Sequence, residues 1–249
     1  MKPLKAIVLA AGKGTRMKSD LPKVLMNACG QPLVEYVIDA VRAAGIDEVV
    51  VVVGYRSELV REALADRPGV RFCEQTQQLG TGHAVQMCRA ELEGFDGGVL
   101  VLTGDSPLTQ VASLRQLVDL FQSEQPACVM GTLLTDDPTG LGRIVRDQRD
   151  DFLAIVEDKD ATEIQKQINE VNMSTYLFDC AALQQALDRL RNHNKQGEYY
   201  ITDCPGILKS DGLDVRALAV LRPCEALSIN TVEDLRIVEE EMRRIECES

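Results

Sequence analysis

A loop rich in glycine and basic residues follows the first apolar run of the chain, residues 6–10. Gly12 and Gly14 allow the backbone to approach a phosphate closely, and successive N–H groups there can form an anion-binding nest. Arg16 and Lys23 would add positive charge on phosphate oxygens, Arg16 through its planar fork and Lys23 as a point charge. Both the P-loop pattern GxxxxGK[ST] and the third glycine of the dinucleotide fingerprint are missing. We therefore predict a phosphate site of another kind, the alternative being a tight turn with surface basic residues.

Glutamines cluster in the string QTQQLGTGHA, which begins at Gln75. Uracil presents one N–H donor between two carbonyl acceptors, and a glutamine amide carries both a donor and an acceptor. Gln75, Gln78 and the backbone of Gly80 and Thr81 are therefore suited to reading a pyrimidine base. In the alternative interpretation, the string is a polar loop and Thr81 caps the helix that follows. We interpret His83 as structural, because a lone histidine just inside a helix more often packs or caps than catalyses.

A carboxylate, Asp105, follows the apolar run at residues 99–102 in the string LTGDSPL. Open α/β sheets place ligands and catalytic groups at the carboxyl ends of their strands. Magnesium prefers hard oxygen ligands and typically takes only one or two of them from the protein. Asp105 is therefore well placed to hold Mg²⁺ against a triphosphate. A turn aspartate before proline is the competing interpretation.

The elements that must position these residues alternate between strands and helices. Strands are predicted at 6–10, 49–53, 70–73 and 99–102, and helices at 33–44, 57–65, 82–92 and 112–122. Uninterrupted, β-branched apolar runs are typical of strands covered on both faces. Strand–helix alternation implies right-handed crossovers. The fold class is therefore predicted as three-layer α/β with a mainly parallel, twisted sheet.

Shorter strands joined by polar turns are predicted in the second half of the chain. They lie at 127–135, 142–146, 153–157 and 171–178, with helices at 181–191 and 202–210. No Pro/Gly/Ser-rich linker divides the halves, so we interpret this part as a β-rich elaboration of the same sheet. We accordingly predict one domain over residues 1–230 and a C-terminal helix within 231–249, for which Asn230 and Thr231 supply a start signal.

Composition and charge exclude several classes of partner. The net charge is −12, aromatic residues make up 4% and tryptophan is absent, all of which argue against nucleic acid and against an anionic membrane. The eight cysteines form no CxxC pair and mostly fall in apolar segments, which favours reduced core residues over a zinc site or a disulfide framework. We expect a cytoplasmic protein that acts on small molecules, with its oligomeric state left open.

Three strings resemble known families. The loop LAAGKGTRM with the later PK resembles the signature LxxGxGxRMxxxxPK of the sugar-nucleotidyltransferase superfamily, whose fold is Rossmann-like. QLGTGHA and GEYYITD resemble the uridyltransferase half of the bacterial bifunctional N-acetylglucosamine-1-phosphate uridyltransferases, and the resemblance extends over residues 5–235. It implies that UTP and N-acetylglucosamine 1-phosphate are joined with Mg²⁺ to give UDP-N-acetylglucosamine and pyrophosphate.

The resemblance also implies roles for individual residues. Those assigned to the nucleotide are Leu9, Ala10, Ala11, Gly12, Gly14, Gln75, Gln78, Gly80, Thr81 and Gly104. Those assigned to the sugar are Gly142, Glu157, Asn172 and Thr202. Arg16, Lys23 and Asp105 are the catalytic set, and Asn230 is the second metal ligand beside Asp105, unless it only caps the last helix.

Four residues depart from the family pattern. Met173 and Ser174 stand where the family usually has Thr-Gly, Leu141 where an aromatic residue is expected, and Thr103 where Tyr is common. These departures leave the nucleotide half intact and leave open the same chemistry on another sugar 1-phosphate. A cytidylyltransferase that uses CTP and a polyol phosphate would share the opening loop, but QLGTGHA and GEYYITD argue against it. A nucleotide-sugar-binding regulator without catalysis is the alternative outside the enzymes, although pure binding would not need the whole catalytic set.

Overall fold

Strand β1, Leu4–Ala10, lies inside the main sheet with a neighbour on each side. In the computed structural model, which describes residues 1–13, 20–227, 229 and 231–248, its two neighbours run parallel to it. They are β4 (Glu48–Val53) and β6 (Gly98–Thr103). Strand β5 (Val70–Glu74) extends the parallel set beyond β4. Nearly every residue of β4 and β6 is buried, as expected for strands covered on both faces.

The second half of the chain continues the same sheet. Strand β10 (Glu170–Asp179) lies between β6 and β7 (Cys128–Leu134) and runs antiparallel to both, while β11 (Val215–Leu218) pairs in parallel with β7. The strand order is β11-β7-β10-β6-β1-β4-β5. Strands β8 (Gly142–Arg146) and β9 (Phe152–Val156) form an antiparallel hairpin beside the start of β10. The mainly parallel sheet and its β-rich elaboration are confirmed, and β11 is a strand that was not predicted.

Helices cover both faces of this sheet because consecutive side chains of its strands, which point to opposite faces, are apolar. In β1, for example, Ile7 packs into one layer and Ala6 and Val8 into the other. One layer contains α1 (Leu33–Ala43), α2 (Ser57–Ala63) and α5 (Val111–Glu124), and the other contains α3 (Thr81–Gln86), α4 (Arg89–Leu92), α6 (Cys180–Arg189) and α7 (Asp203–Ser210). The three-layer prediction is therefore correct.

The helix predicted over residues 82–92 was wrong in one respect, because it is divided into α3 and α4. The backbone N–H of Cys88 donates to the carbonyl oxygen of Val85 at 3.0 Å. This i→i−3 bond tightens the turn and ends the α-helical pattern. The short hairpin of β2 (Asn27–Ala28) and β3 (Gln31–Pro32) was also not predicted.

The last helix, α8 (Val232–Glu248), packs its apolar stripe on a small separate cluster. Val238 and Met242 contact the region of Ala28, Leu33 and Ile229. The division into residues 1–230 and 231–249 stays a prediction. Within the described ranges, every helix is too short or too polar to cross a membrane.

Strand β10 contains a bulge at its beginning. Its register with β7 shifts between Asn172 and Thr175, which leaves Met173 and Ser174 without partners in the ladder. Ser174 has a φ of 54°, in the left-handed region that L-residues other than glycine rarely adopt. This geometry gives a physical reason for the glycine of the family pattern, since glycine adopts a positive φ without steric cost.

The left-handed backbone at Ser174 gives a test of the bulge. We expect Ser174→Val to lower the free energy of unfolding by about 1–2 kcal/mol, because a β-branched side chain clashes with its own backbone at positive φ. Ser174→Gly should stay within about 1 kcal/mol of the native protein. Urea unfolding of the native protein and of the two variants measures these changes in the free energy of unfolding. Equal midpoints for Ser174→Val and Ser174→Gly would contradict the left-handed backbone at residue 174.

Candidate functional site

The carbonyl oxygen of Ala11, just beyond the end of β1, connects three loops. It accepts hydrogen bonds from the backbone N–H of Tyr55 at 3.1 Å and from Nε2 of Gln78 at 2.7 Å. Gly54 packs so closely that a Cβ at that position would lie 2.8 Å from the same oxygen. The loops after β1, β4 and β5 therefore meet where the parallel strands end, which is where the site was predicted.

The end of β6 lies beside the same loop. Leu9 and Ala10 are the last two residues of β1, and the Leu9 carbonyl oxygen accepts from the Gly104 N–H at 2.9 Å. A Cβ on Gly104 would lie 3.1 Å from that oxygen, so a side chain there would press against β1. Gly12 follows, and none of the described residues has an atom within 4 Å of the position of a Cβ there. The described part of the predicted phosphate loop is thus accessible from one side.

Three of the predicted site residues fall outside the described ranges. They are Gly14, Arg16 and Asn230. Their assignments to phosphate and metal therefore stay predictions.

The Gln75 side chain is buried and held by two partners. Its Nε2 donates to the carbonyl oxygen of Gly80 at 3.0 Å and lies 3.0 Å from Nδ1 of His83. Because a carbonyl oxygen only accepts, the end of the amide that faces Gly80 must be the nitrogen. Oε1 therefore points away from these partners, as an acceptor that suits the ring N–H of uracil. His83 has the structural role predicted for it, and the structure adds that it positions Gln75.

The strings QLGTGHA and GEYYITD form one structural unit. The Tyr199 N–H donates to the Leu79 carbonyl oxygen at 2.8 Å, and the Ile201 N–H donates to Oγ1 of Thr81 at 3.1 Å. Gly80 has a φ of 110°, and a Cβ there would lie 2.5 Å from the Tyr199 carbonyl oxygen. Thr81 does not cap its own helix, since its hydroxyl accepts from the other string and the N-cap is Gly80.

Lys23 and Asp105 contact each other at this edge of the sheet. Nζ of Lys23 lies 2.6 Å from Oδ2 of Asp105, and the two side chains are 15% and 29% exposed. Lys23 begins a short 3₁₀ helix that Pro22 precedes, and Asp105 follows the end of β6. The two were predicted for different partners, a phosphate and a metal ion. The structure brings them together and leaves both within reach of a ligand.

The four residues predicted for the sugar also meet. A Cβ on Gly142 would lie 3.6 Å from Cβ of Asn172 and 3.7 Å from Oε2 of Glu157, so the glycine keeps the space between these side chains open. Oγ1 of Thr202 donates to Oε1 of Glu157 at 2.9 Å. Gly142 begins β8, Glu157 follows β9, Asn172 lies near the start of β10, and Thr202 precedes α7. Their role toward a sugar stays a prediction.

Carboxylates dominate the cleft next to these residues. It has a volume of about 330 Å³ and is lined by Ile155, Val156, Glu157, Asp160, Arg191, His193, Asn194, Tyr200 and Asp203. Burial raises the pKa of Glu157, and the charges of Asp160 and Asp158 add to the effect. Burial together with Glu157 and Asp160 raises the pKa of Asp203 to about 6. An acidic cleft suits the hydroxyl and amide donors of a sugar, whereas phosphates are better placed beside Lys23.

Asp203 and Tyr55 were not among the residues predicted from the sequence. The string GEYYITD contains Asp203, but a carboxylate in the first turn of a helix is common for reasons of helix stability alone. Tyr55 follows β4, and its contact with Ala11 gives no signal in the sequence.

Comparison with known families decides the class of protein. The family model of the MobA-like NTP transferase domain matches residues 6–172, from β1 into β10. The chain belongs to this family. Its three-layer fold with a mainly parallel sheet is that of a nucleotidyltransferase.

Individual relatives extend the similarity beyond the matched domain. The bifunctional protein GlmU of Streptococcus sanguinis (strain SK36) is 46% identical over 239 residues, which is 96% of this chain and 52% of that protein. The bifunctional protein GlmU of Pelotomaculum thermopropionicum is 44% identical over 241 residues, 97% of this chain and 52% of that protein. The chain therefore spans about half the length of the curated relatives it matches, and the resemblance to the bacterial bifunctional family is confirmed.

A solved structure shows the same fold at low identity. The crystal structure of a UDP-glucose pyrophosphorylase complexed with UDP-glucose matches with a TM-score of 0.77, covering 98% of this chain and 99% of that chain. The two sequences are 18% identical. The similarity therefore concerns the arrangement of strands and helices.

The contact between the two strings predicts the effect of a side chain at Gly80. We expect Gly80→Ala to lower the free energy of unfolding by about 1–3 kcal/mol, because the methyl group overlaps the Tyr199 carbonyl oxygen and the φ is positive. It should also weaken binding of UTP, measured by titration calorimetry. Gly206→Ala is the matched control, because Gly206 lies in α7 with open space around it. If Gly80→Ala lowered the free energy of unfolding no more than Gly206→Ala does, the close packing of the two strings would be contradicted.

The buried carboxylate of Asp203 predicts a pH dependence of stability. Its pKa is raised to about 6 in the folded protein, so the folded state binds the proton more tightly than the unfolded state, and stability falls as pH rises from about 4 to about 6. Asp203→Asn should therefore raise the thermal midpoint at pH 7.5, and the gain should shrink as the pH is lowered to 4. Asp66→Asn, at an exposed position, is the control. If Asp203→Asn raised the thermal midpoint equally at every pH, the raised pKa of Asp203 would be contradicted.

Proposed function

We propose that the chain transfers the uridylyl group of UTP to N-acetylglucosamine 1-phosphate, with Mg²⁺, to form UDP-N-acetylglucosamine and pyrophosphate. The observation that carries the proposal is the contact of Lys23 with Asp105 at the edge where β1 and β6 end. It puts a cation and a carboxylate beside the predicted phosphate loop. Membership in an NTP transferase family and the similarity to GlmU proteins support the reaction class.

The reaction requires little covalent chemistry from the protein. A phosphate oxygen of the sugar 1-phosphate attacks the α-phosphorus of UTP; the new O–P bond forms as the bond to the bridging oxygen breaks, and pyrophosphate leaves with that electron pair. The attacking oxygen is already anionic at neutral pH, so no general base is needed. Catalysis then comes from positioning and from neutralisation of charge. We assign the neutralisation to Lys23 and Arg16, and the orientation of the phosphates to the backbone of Gly12 and Gly14.

The residues at the sheet edge suit a magnesium ion. Asp105 offers a hard, partly exposed carboxylate, and the ammonium of Lys23 beside it indicates that the position favours positive charge. In the described ranges, no three His, Cys, Asp or Glu side chains converge on one point, which agrees with a site that takes few ligands from the protein. We assign the ion to Asp105 and Asn230. An ion held there would supply positive charge to neutralise the substrate phosphates.

The two substrates would lie at opposite ends of the site. Oε1 of Gln75 is an acceptor for the ring N–H of uracil, and Gln78 fixes the loop through Ala11. Glu157 and Asn172 would hydrogen-bond the sugar hydroxyls and acetamido group in the space that Gly142 leaves open. We place the reaction in the cytoplasm, because all eight cysteines are free thiols.

The test is pyrophosphate release from UTP and Mg²⁺ with four sugars: the 1-phosphates of N-acetylglucosamine, glucosamine, glucose and N-acetylgalactosamine. We expect turnover with the first, abolished by EDTA. Turnover with another sugar alone would keep the chemistry and overturn the sugar assignment. Absence of release with every sugar, in a folded protein, would favour the nucleotide-sugar-binding alternative.

Substitutions at the sheet edge test the assigned roles. Asp105→Asn should lower kcat by about 10²–10³-fold, because the site loses an anionic oxygen ligand without losing shape. Lys23→Met should raise the KM for UTP. Lys2→Met is the matched control, since it removes a 2.9 Å ion pair with Asp179 at the opposite edge of the sheet. Thermal unfolding checks that each variant is folded, and near-native turnover of folded Asp105→Asn would refute the metal assignment.

A further inference from the structure

The bulge in β10 fixes the orientation of the Asn172 side-chain amide. The backbone N–H of Ser174 lies 3.3 Å from one end of that amide. Because a backbone N–H only donates, this end is the oxygen, Oδ1. The Tyr176 hydroxyl donates to the same Oδ1 at 2.8 Å. Two donors therefore hold the oxygen, and the amide nitrogen, Nδ2, is turned to the other side.

Tyr176 is a rigid anchor for this arrangement. Its side chain is fully buried, and its ring lies 5.7 Å from that of Phe178 between ring centroids. Leaving a buried hydroxyl without a partner costs about 1–3 kcal/mol, so the Tyr176 hydroxyl is held against Asn172.

Asn172 borders the space beside Gly142, since a Cβ on the glycine would lie 3.6 Å from the Asn172 Cβ. Among the described residues, no protein acceptor takes a hydrogen bond from Nδ2, although the residue is only 6% exposed. The opposite wall of that space is Glu157, whose carboxylate is held by Thr202. A molecule in the space would therefore meet a fixed donor on one side and a fixed acceptor on the other.

We propose that Tyr176 is a positioning residue that sets the sugar specificity of the site through Asn172. By holding Oδ1, it presents Nδ2 as a donor, and this selects a sugar with an acceptor oxygen at that point. An acetamido carbonyl or a hydroxyl supplies such an oxygen, whereas a protonated amine does not. The inference rests on the proposed function and deepens it, since it concerns the sugar side of the same site.

The experiment separates the contribution of the sugar to binding from that of the nucleotide. Titration calorimetry with UDP and with UDP-N-acetylglucosamine gives two Kd values, and their ratio is the contribution of the sugar. Tyr176→Phe keeps the ring and removes the hydroxyl. We expect the Kd for UDP to stay within about 2-fold, and the Kd for UDP-N-acetylglucosamine to rise about 10-fold, as for one lost hydrogen bond. Tyr36→Phe, which loses a 2.8 Å bond to the Ala28 carbonyl oxygen, is the control and should change neither value.

A double-variant cycle shows whether Tyr176 acts through Asn172. Asn172→Ala should lower the sugar contribution at least as much as Tyr176→Phe, and adding Tyr176→Phe to Asn172→Ala should cost nothing further. Asn172→Asp keeps an acceptor for Ser174 and Tyr176 but lacks Nδ2, so it should also lose the sugar contribution. This variant gives the answer even where Tyr176→Phe does not fold.

Several outcomes would overturn the inference. Equal losses for UDP and UDP-N-acetylglucosamine in Tyr176→Phe would indicate a merely structural role, and additive losses in the double variant would show that Tyr176 acts independently of Asn172. An unchanged sugar contribution in Asn172→Asp would show that Nδ2 does not contact the sugar. Failure of the native protein to bind UDP would instead refute the proposed function, and this inference with it.

Discussion

The site depends on one backbone atom, the carbonyl oxygen of Ala11. It lies just beyond the end of the central strand and accepts from both the Tyr55 N–H and the Gln78 side chain. A buried carbonyl oxygen has two lone pairs and must satisfy them. Here the two donors come from loops that follow different strands. The backbone of β1 thereby fixes the relative positions of the phosphate loop and of the loop that would read the base.

A second constraint is the direction of β10. In the parallel strands β1, β4 and β6, only the carboxyl ends reach the edge where the site lies. Strand β10 runs antiparallel to β6, so its first residues reach that edge instead. Asn172 can therefore enter the site from the middle of the sheet, next to the β8–β9 hairpin that carries Gly142. This reversal of direction joins the elaborated half of the chain to the nucleotide half.

Much of this architecture could be predicted from the sequence because it follows from local patterns. The β-branched runs of β1, β4 and β6 define strands covered on both sides, and the strings after them define loops. The pairing of Lys23 with Asp105 could not be predicted, because it depends on how two loops distant in sequence approach each other. The amino-acid composition likewise does not predict the positive φ of Ser174. The only indication in the sequence is that serine stands where the family pattern has glycine.

The least predictable features are those that depend on burial. Asp203 is distinguished by its environment, which raises its pKa to about 6, and no pattern of neighbouring residues reveals that environment. The break between α3 and α4 is similar, since helix-forming residues continue through it and only the tightened turn at Cys88 ends the first helix. Tertiary packing overrides local propensity at such points.

The contact between the strings QLGTGHA and GEYYITD also affects how such sequences are compared. Each string holds the other through backbone and hydroxyl hydrogen bonds, and Gly80 leaves no room for a side chain beside Tyr199. A substitution in one string must therefore fit the shape of the other. The presence of both strings in a new chain is accordingly not two independent indications of the same fold, because a single contact requires them together.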